Sequence, residues 1–223
     1  MNYGSFDCGN GTVNFTGATN NIVRSNWTNT PTNMFNNVIV NKSTGSITLT
    51  GSNATNAIAD INGNFTLTSG TWDVGTTTTN YAMYVAGDWT FNGGTFTPRS
   101  GKVTLDGSGL QSVGGSNNTS FYDLEINNSS ANTQGVNIST TPTITNVLTL
   151  TDGKVTTGAN RVIVTNTAAA AIVPWAGNTN YANSWIFGNL RRYVTGGGPL
   201  NYDIPVGNTS KAFYGKIVSS GFT

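Results

Sequence analysis

Short runs of alternating apolar and polar residues, separated by Asn-Gly or Asp-Gly pairs, recur along this chain and leave few folds open to it. Examples are Thr12-Val13-Asn14-Phe15, Ser46-Ile47-Thr48-Leu49-Thr50, Phe65-Thr66-Leu67-Thr68, Lys102-Val103-Thr104-Leu105, Leu148-Thr149-Leu150-Thr151 and Arg161-Val162-Ile163-Val164. A period of two places apolar groups on one face of a strand and Thr or other polar groups on the opposite face. Between the runs sit Asn10-Gly11, Asn62-Gly63, Asn92-Gly93, Asp106-Gly107 and Asp152-Gly153, which fit tight reversals because Asn, Asp and Gly tolerate positive φ. The sequence therefore predicts an all-β fold. The one helix-friendly stretch, Ala168 to Ala171, is a single turn long and meets Pro174.

Composition decides against disorder. Asn, Thr, Ser and Gly supply 115 of 223 residues and only 9% are charged, yet Leu, Ile, Val and Phe total 49 and the net charge is +1. A disordered chain carries less apolar content and much more charge. Strong β formers outnumber strong helix formers by more than two to one.

The counts also remove whole classes of chemistry. No histidine is present, so the commonest general base, the Ser-His and Cys-His arrangements and the commonest transition-metal ligand are missing. A single cysteine, Cys8, makes no intrachain disulfide and reads as an incidental small residue. The longest apolar run, Ala168 to Ala176, is far short of the roughly 20 residues of a spanning helix. Ten basic and nine acidic residues are scattered singly apart from Arg191-Arg192, which argues against nucleic-acid binding. No cofactor and no metal site is expected.

A longer period overlies the short one. Residues 11–17 match 101–107, residues 34–41 resemble 121–127, and 65–72 match 148–155, at offsets of 90 and 83 with order preserved. Residues 11–97 and 101–170 thus read as two related modules within a repeat-built region 1–180, followed by a C-terminal β segment, 181–223, that opens a further domain. Internal repetition points to a solenoid. Tandem β-sandwich domains remain the alternative, since they give a repeat of similar length.

The runs Gly101 to Val113, Phe121 to Asn128, Val147 to Gly153 and Thr157 to Val164 resemble the repeat modules of large secreted, adhesin-like surface proteins of Bacteroidota. Trp185 to Val194, followed by Tyr202 to Gly207, is similar to the segment that often follows such modules. The resemblance implies a right-handed parallel β-helix, export by type IX secretion, an extracellular or cell-surface address, and a chain that is one section of a longer polypeptide. Stacked coils of 20 to 25 residues would number seven or eight in residues 11–180, with turn amides satisfying one another in ladders.

Few residues suggest chemistry. Asp123 and Glu125 alternate with Tyr122, Leu124 and Ile126, so both carboxylates point to one solvent side, as paired acids do in glycoside hydrolysis and as ordinary polar strand faces also do. Asp60, Asp73, Asp88 and Asp106 have a spacing that predicts no common face. Arg191 and Arg192 continue a strand pattern after Leu190 and are candidates for carboxylate or glycan binding. Thr-x-Thr pairs such as Thr48/Thr50 and Thr143/Thr145 would make ice-binding rows if they stacked. The leading expectation is a non-catalytic structural or adhesive module of a surface or filament-forming protein, pairing with itself, with neighbouring segments of the same protein or with surface glycans. A carbohydrate-active or glycan-binding β-helix comes second and an ice-binding solenoid third.

Overall fold

The computed structural model describes residues 8–25, 35–51, 58–130, 135–174, 181–195 and 199–220. Each alternating run is a strand, and the chain winds these strands into about seven stacked turns of a β-solenoid. Coil one holds β1 (Thr12–Phe15) and β2 (Asn21–Ser25); coil two, β3 (Asn37–Gly51) and β4 (Ile58–Ile61); coil three, β5 (Phe65–Asp73) and β6 (Ala82–Val85). Coil four holds β7 (Trp89–Phe91), β8 (Thr95–Thr97) and β9 (Lys102–Leu105); coil five, β10 (Gln111–Gly114), β11 (Ser120–Phe121) and β12 (Asp123–Asn127). Coil six has β13 (Val136–Ile138), β14 (Thr143–Ile144) and β15 (Leu148–Asp152); coil seven, β16 (Val155–Val164) and β17 (Ile172–Pro174). Then come β18 (Ile186–Arg192), β19 (Pro199–Gly207) and β20 (Ala212–Ser220). The Ala-rich stretch makes one 3-10 turn, Ala169–Ala171.

Three parallel faces result. Face one stacks β1, the first half of β3, the first half of β5, β7, β10, β13 and the start of β16. Face two carries β2, the second halves of β3 and β5, β8, and farther on β11, β14 and the ends of β16 and β18. Face three is the ladder β4, β6, β9, β12, β15, β17. Register sets the core directly: Ala59, Met83, Val103, Leu124, Leu148 and Ile172 stand in one column, and all are buried. Each such side chain contributes about 1.5–3 kcal/mol of burial for the larger aliphatics.

The Asn-Gly and Asp-Gly pairs turn corners between faces and are not hairpin loops; the single antiparallel strand pair among the described residues is β19 with β20. At Asn62-Gly63 the glycine is needed for close approach, because a Cβ there would strike Asn37 Oδ1 and the Asn36 carbonyl of the preceding coil. Some amides satisfy one another, Asn128 Nδ2 donating to Gln111 Oε1 and Asn166 Nδ2 to Asn146 Oδ1, while others serve the backbone. Asn37 Oδ1 accepts from the Asn64 backbone N–H, Asn64 Oδ1 from Asp88 N–H, and Asp88 Oδ1 from Ser112 N–H, each at 2.8 Å. The side chain of one coil thus satisfies the backbone of the next.

The matched segments found in the sequence occupy different faces: residues 12–15, 37–40 and 65–67 lie on face one, their counterparts 102–105, 123–127 and 148–152 on face three. Beyond coil seven, β18 continues the parallel stack on β16, with Arg161 paired to Asn189 and Ile163 to Arg191. The hairpin β19–β20 joins through Ile186 and Val206, and Tyr181, Trp185 and Tyr202 are buried beneath it.

Candidate functional site

Strand β12 does put Asp123 and Glu125 on one outward side, with Leu124 and Ile126 buried between and beyond them. Both carboxylates are engaged. Asp123 Oδ1 accepts from Asn146 Nδ2 at 2.8 Å and from the Val147 N–H at 2.9 Å, both in the next coil. Glu125 takes Lys102 Nζ from the preceding coil at 2.5 Å and the Thr151 hydroxyl from the following coil at 2.7 Å. These are bonds between coils.

Parallel register brings a further pair to the same face. Asp60 pairs with Tyr84, Tyr84 with Thr104 and Thr104 with Glu125, and Asp106 ends the β9 run two residues past Thr104. Asp60 and Asp106 therefore share face three, contrary to the expectation from their spacing. Coils of unequal length put them in reach of one another. Burial, with Asp60 and then Glu125 adding repulsion, pushes the Asp106 carboxyl up to about 6, and burial raises Asp60 as well. Asp106 Oδ1 is buried and accepts no hydrogen bond among the described residues. The other two aspartates lie elsewhere: Asp73 holds Arg99 through both carboxylate oxygens, at 2.5 and 2.6 Å, and Asp88 serves the corner ladder.

Arg191 and Arg192 part company. As neighbours on β18 they point to opposite sides. Arg192 sits in register with buried Val164, so its side chain turns inward, where it donates to the carbonyls of Asp203, Ala168 and Ala169 at 2.8, 2.8 and 2.5 Å and lies over the Tyr202 ring. Burial lowers its pKa from the usual arginine value. Arg191 is exposed and lies over the Tyr193 ring, 4.9 Å from its centroid.

Sequence reasoning missed what these residues flank. A cleft of about 860 Å³ opens between β18 and the hairpin, with Gly188–Arg192 along one wall, Arg161 beside it, and Ile204, Val206, Lys216 and Ile217 opposite. Four of the ten basic residues of the chain line it. In the sequence they are spread over 56 positions, from Arg161 to Lys216, and only the fold gathers them.

Other candidates resolve into structure. Lys42 is fully buried, donating to Asn21 Oδ1 at 2.8 Å and the Thr16 carbonyl at 3.3 Å. Trp72, Trp89 and Trp185 are core residues, and Trp27 and Trp175 lie outside the described residues. The Thr-x-Thr pairs fall on three different faces and form no continuous row. Among the described residues no group of three metal-ligating side chains gathers, and no helix is long and apolar enough to cross a membrane. No protein family, curated protein or solved structure matches the chain.

Proposed function

We propose that this chain is a structural and adhesive section of an extracellular or cell-surface protein, a rod that spaces and presents without turning a substrate over. The observation that carries the reading is the use made of the polar groups. Asp123, Glu125 and the corner asparagines spend their hydrogen bonds on the next coil, so the chemistry a site would need holds the rod together instead. The likeness of residues 101–164 to the modules of secreted Bacteroidota surface proteins supports the address, and neighbouring segments of such a protein or surface glycans are its partners. A glycan array combined with a polysaccharide-degradation screen on the full chain tests it: binding or silence is expected, and turnover of any glycan overturns it.

One observation favours a second reading, carbohydrate turnover. Asp106, held near pH 6 beside Asp60 and Glu125 on face three, has the raised pKa that a general acid needs. If the degradation screen shows cleavage, Asp106→Asn abolishes it under this reading; cleavage that survives the substitution rejects Asp106 as the acid.

A further inference from the structure

We infer that the cleft between β18 and the β19–β20 hairpin binds an extended peptide strand in which carboxylate and aliphatic residues alternate, the strand adding to the open edge of β18. The inference rests on the reading of the chain as an adhesive module and names the partner chemistry of its C-terminal cleft.

The backbone comes first. Strand β18 pairs with β16 from Val155/Ile186 through Val164/Arg192, but its opposite edge meets β19 at a single position, Ile186 with Val206. Past that bridge no strand pairs with β18 among the described residues, and the cleft lies along it. An edge with no ladder partner accepts an added strand through main-chain hydrogen bonds.

Side chains then set the pattern. On β18 the outward residues are Asn189 and Arg191, with Arg161 one coil back beside Asn189; Leu190 faces the interior. A strand added in register meets cations on its outward positions and, on its inward ones, a bed of Leu190, Ile204, Val206 and Ile217. That bed ends at Arg192, whose guanidinium is already held by the Asp203, Ala168 and Ala169 carbonyls. Ile217 remains 42% exposed, which leaves apolar surface for an incoming side chain to cover. Lys216 also lines the cleft, with Asp203 4.0 Å from its Nζ. Period-two alternation of Asp or Glu with Val, Ile or Leu matches this surface; a blocked arrangement of the same residues does not.

A second copy of this chain is a poor occupant. Residues 8–25, which form coil one, contain no aspartate or glutamate; the carboxylates on either side of them in the sequence are Asp7, outside the described residues, and Asp60. Head-to-tail stacking would offer Arg161 and Arg191 no carboxylate from residues 8–25.

The test is fluorescence anisotropy on the full 223-residue chain with a labelled eight-residue peptide alternating Asp and Val. Three comparators go with it: the same residues in two blocks, the alternating peptide N-methylated at every second amide, and an oligouronate of similar charge. The alternating peptide is expected to bind at least tenfold more tightly than each comparator, and Arg161→Glu/Arg191→Glu, both at exposed positions, to weaken it a further tenfold or more with an unchanged circular dichroism spectrum. Equal binding of the N-methylated peptide overturns strand addition. Oligouronate binding that is stronger, and lost with the same substitutions, overturns the peptide in favour of an acidic glycan, and dimerisation that blocks the cleft overturns it in favour of self-assembly. No peptide binding alongside a silent degradation screen refutes this inference and leaves the structural reading standing, whereas glycan turnover with peptide binding intact does the reverse.

Discussion

From coil one to coil five the interior is aromatic, whereas coil six is filled by aliphatic side chains alone. Phe15 touches Phe35 and Trp72, Trp72 packs on Phe65, Phe65 on Trp89, and Trp89 on Phe96 and Phe121, with ring centroids 4.5 to 6.2 Å apart. Coil six has Val136, Ile138, Ile144, Leu148 and Leu150 in the equivalent places. It is also the shortest coil: face-one strands begin at residues 37, 65, 89, 111 and 136, a spacing of 22 to 28, and then at 155, a spacing of 19. The same three faces and the same corner chemistry thus enclose two kinds of core, with less chain needed where no rings must be enclosed. Aromatic pairs add about 0.5–1.5 kcal/mol beyond their buried area, so the two regions differ in cohesion more than in outline.

The contrast has a direct test. Trp89→Ala removes the ring that touches three others and is expected to cost about 3–5 kcal/mol, the largest effect of any substitution here. Ile144→Ala in coil six, equally buried, is expected to cost less, toward the lower end of about 2–5 kcal/mol. Urea unfolding measures both; equal costs would erase the distinction between the regions. Hydrogen exchange sharpens it, since coils couple mainly to their neighbours and Trp89→Ala should expose amides in coils three to five before those of coil six.

Corner substitutions should ignore the boundary. Asn64→Ala within the aromatic region and Asn118→Ala at its border, bonded to coil six, each remove one acceptor from a backbone N–H at 2.8 Å, of Asp88 and of Thr141 respectively. Each is expected to cost about 1 kcal/mol. A large difference between them would tie the corners to the core after all.

A further effect concerns pH. The folded chain holds the Asp106 proton to about pH 6, while the unfolded chain releases it near the ordinary aspartate value of 3.8. Between those values the native state binds more protons, so stability falls as pH rises and levels off above about 6. Asp106→Asn is expected to raise Tm at pH 7, leave it nearly unchanged at pH 3.5 and flatten the slope between. An unchanged slope would show that the carboxyl titrates normally.

The strands were legible in the sequence where the alternation was clean. Lys102 to Leu105, Asp123 to Asn127 and Leu148 to Thr151 are strands with the expected inward columns, and the solenoid follows from their recurrence. Register was hidden. Face-three strands begin at 58, 82, 102, 123, 148 and 172, so successive steps vary from 20 to 25 residues and no fixed offset lines up Asp60 with Asp106. The strongest internal likeness crosses from face one to face three because every face imposes the same inward and outward alternation. Arg191 and Arg192 were visible as a pair, but their opposite fates depend on which residue of β16 each one meets, and the cleft depends on a hairpin folding back over β18.

The bonds from backbone N–H groups to corner side-chain oxygens run one way. In every stacked pair from Asn20 and Ser46 to Asp123 and Val147, the oxygen belongs to the earlier coil and the N–H to the later one. These corner side chains give the rod a direction, their oxygens facing the later coils, while the strand backbones donate and accept toward both ends. Two such rods laid tip to tip would set these corner oxygens against one another, whereas a shared heading would set them against backbone N–H groups.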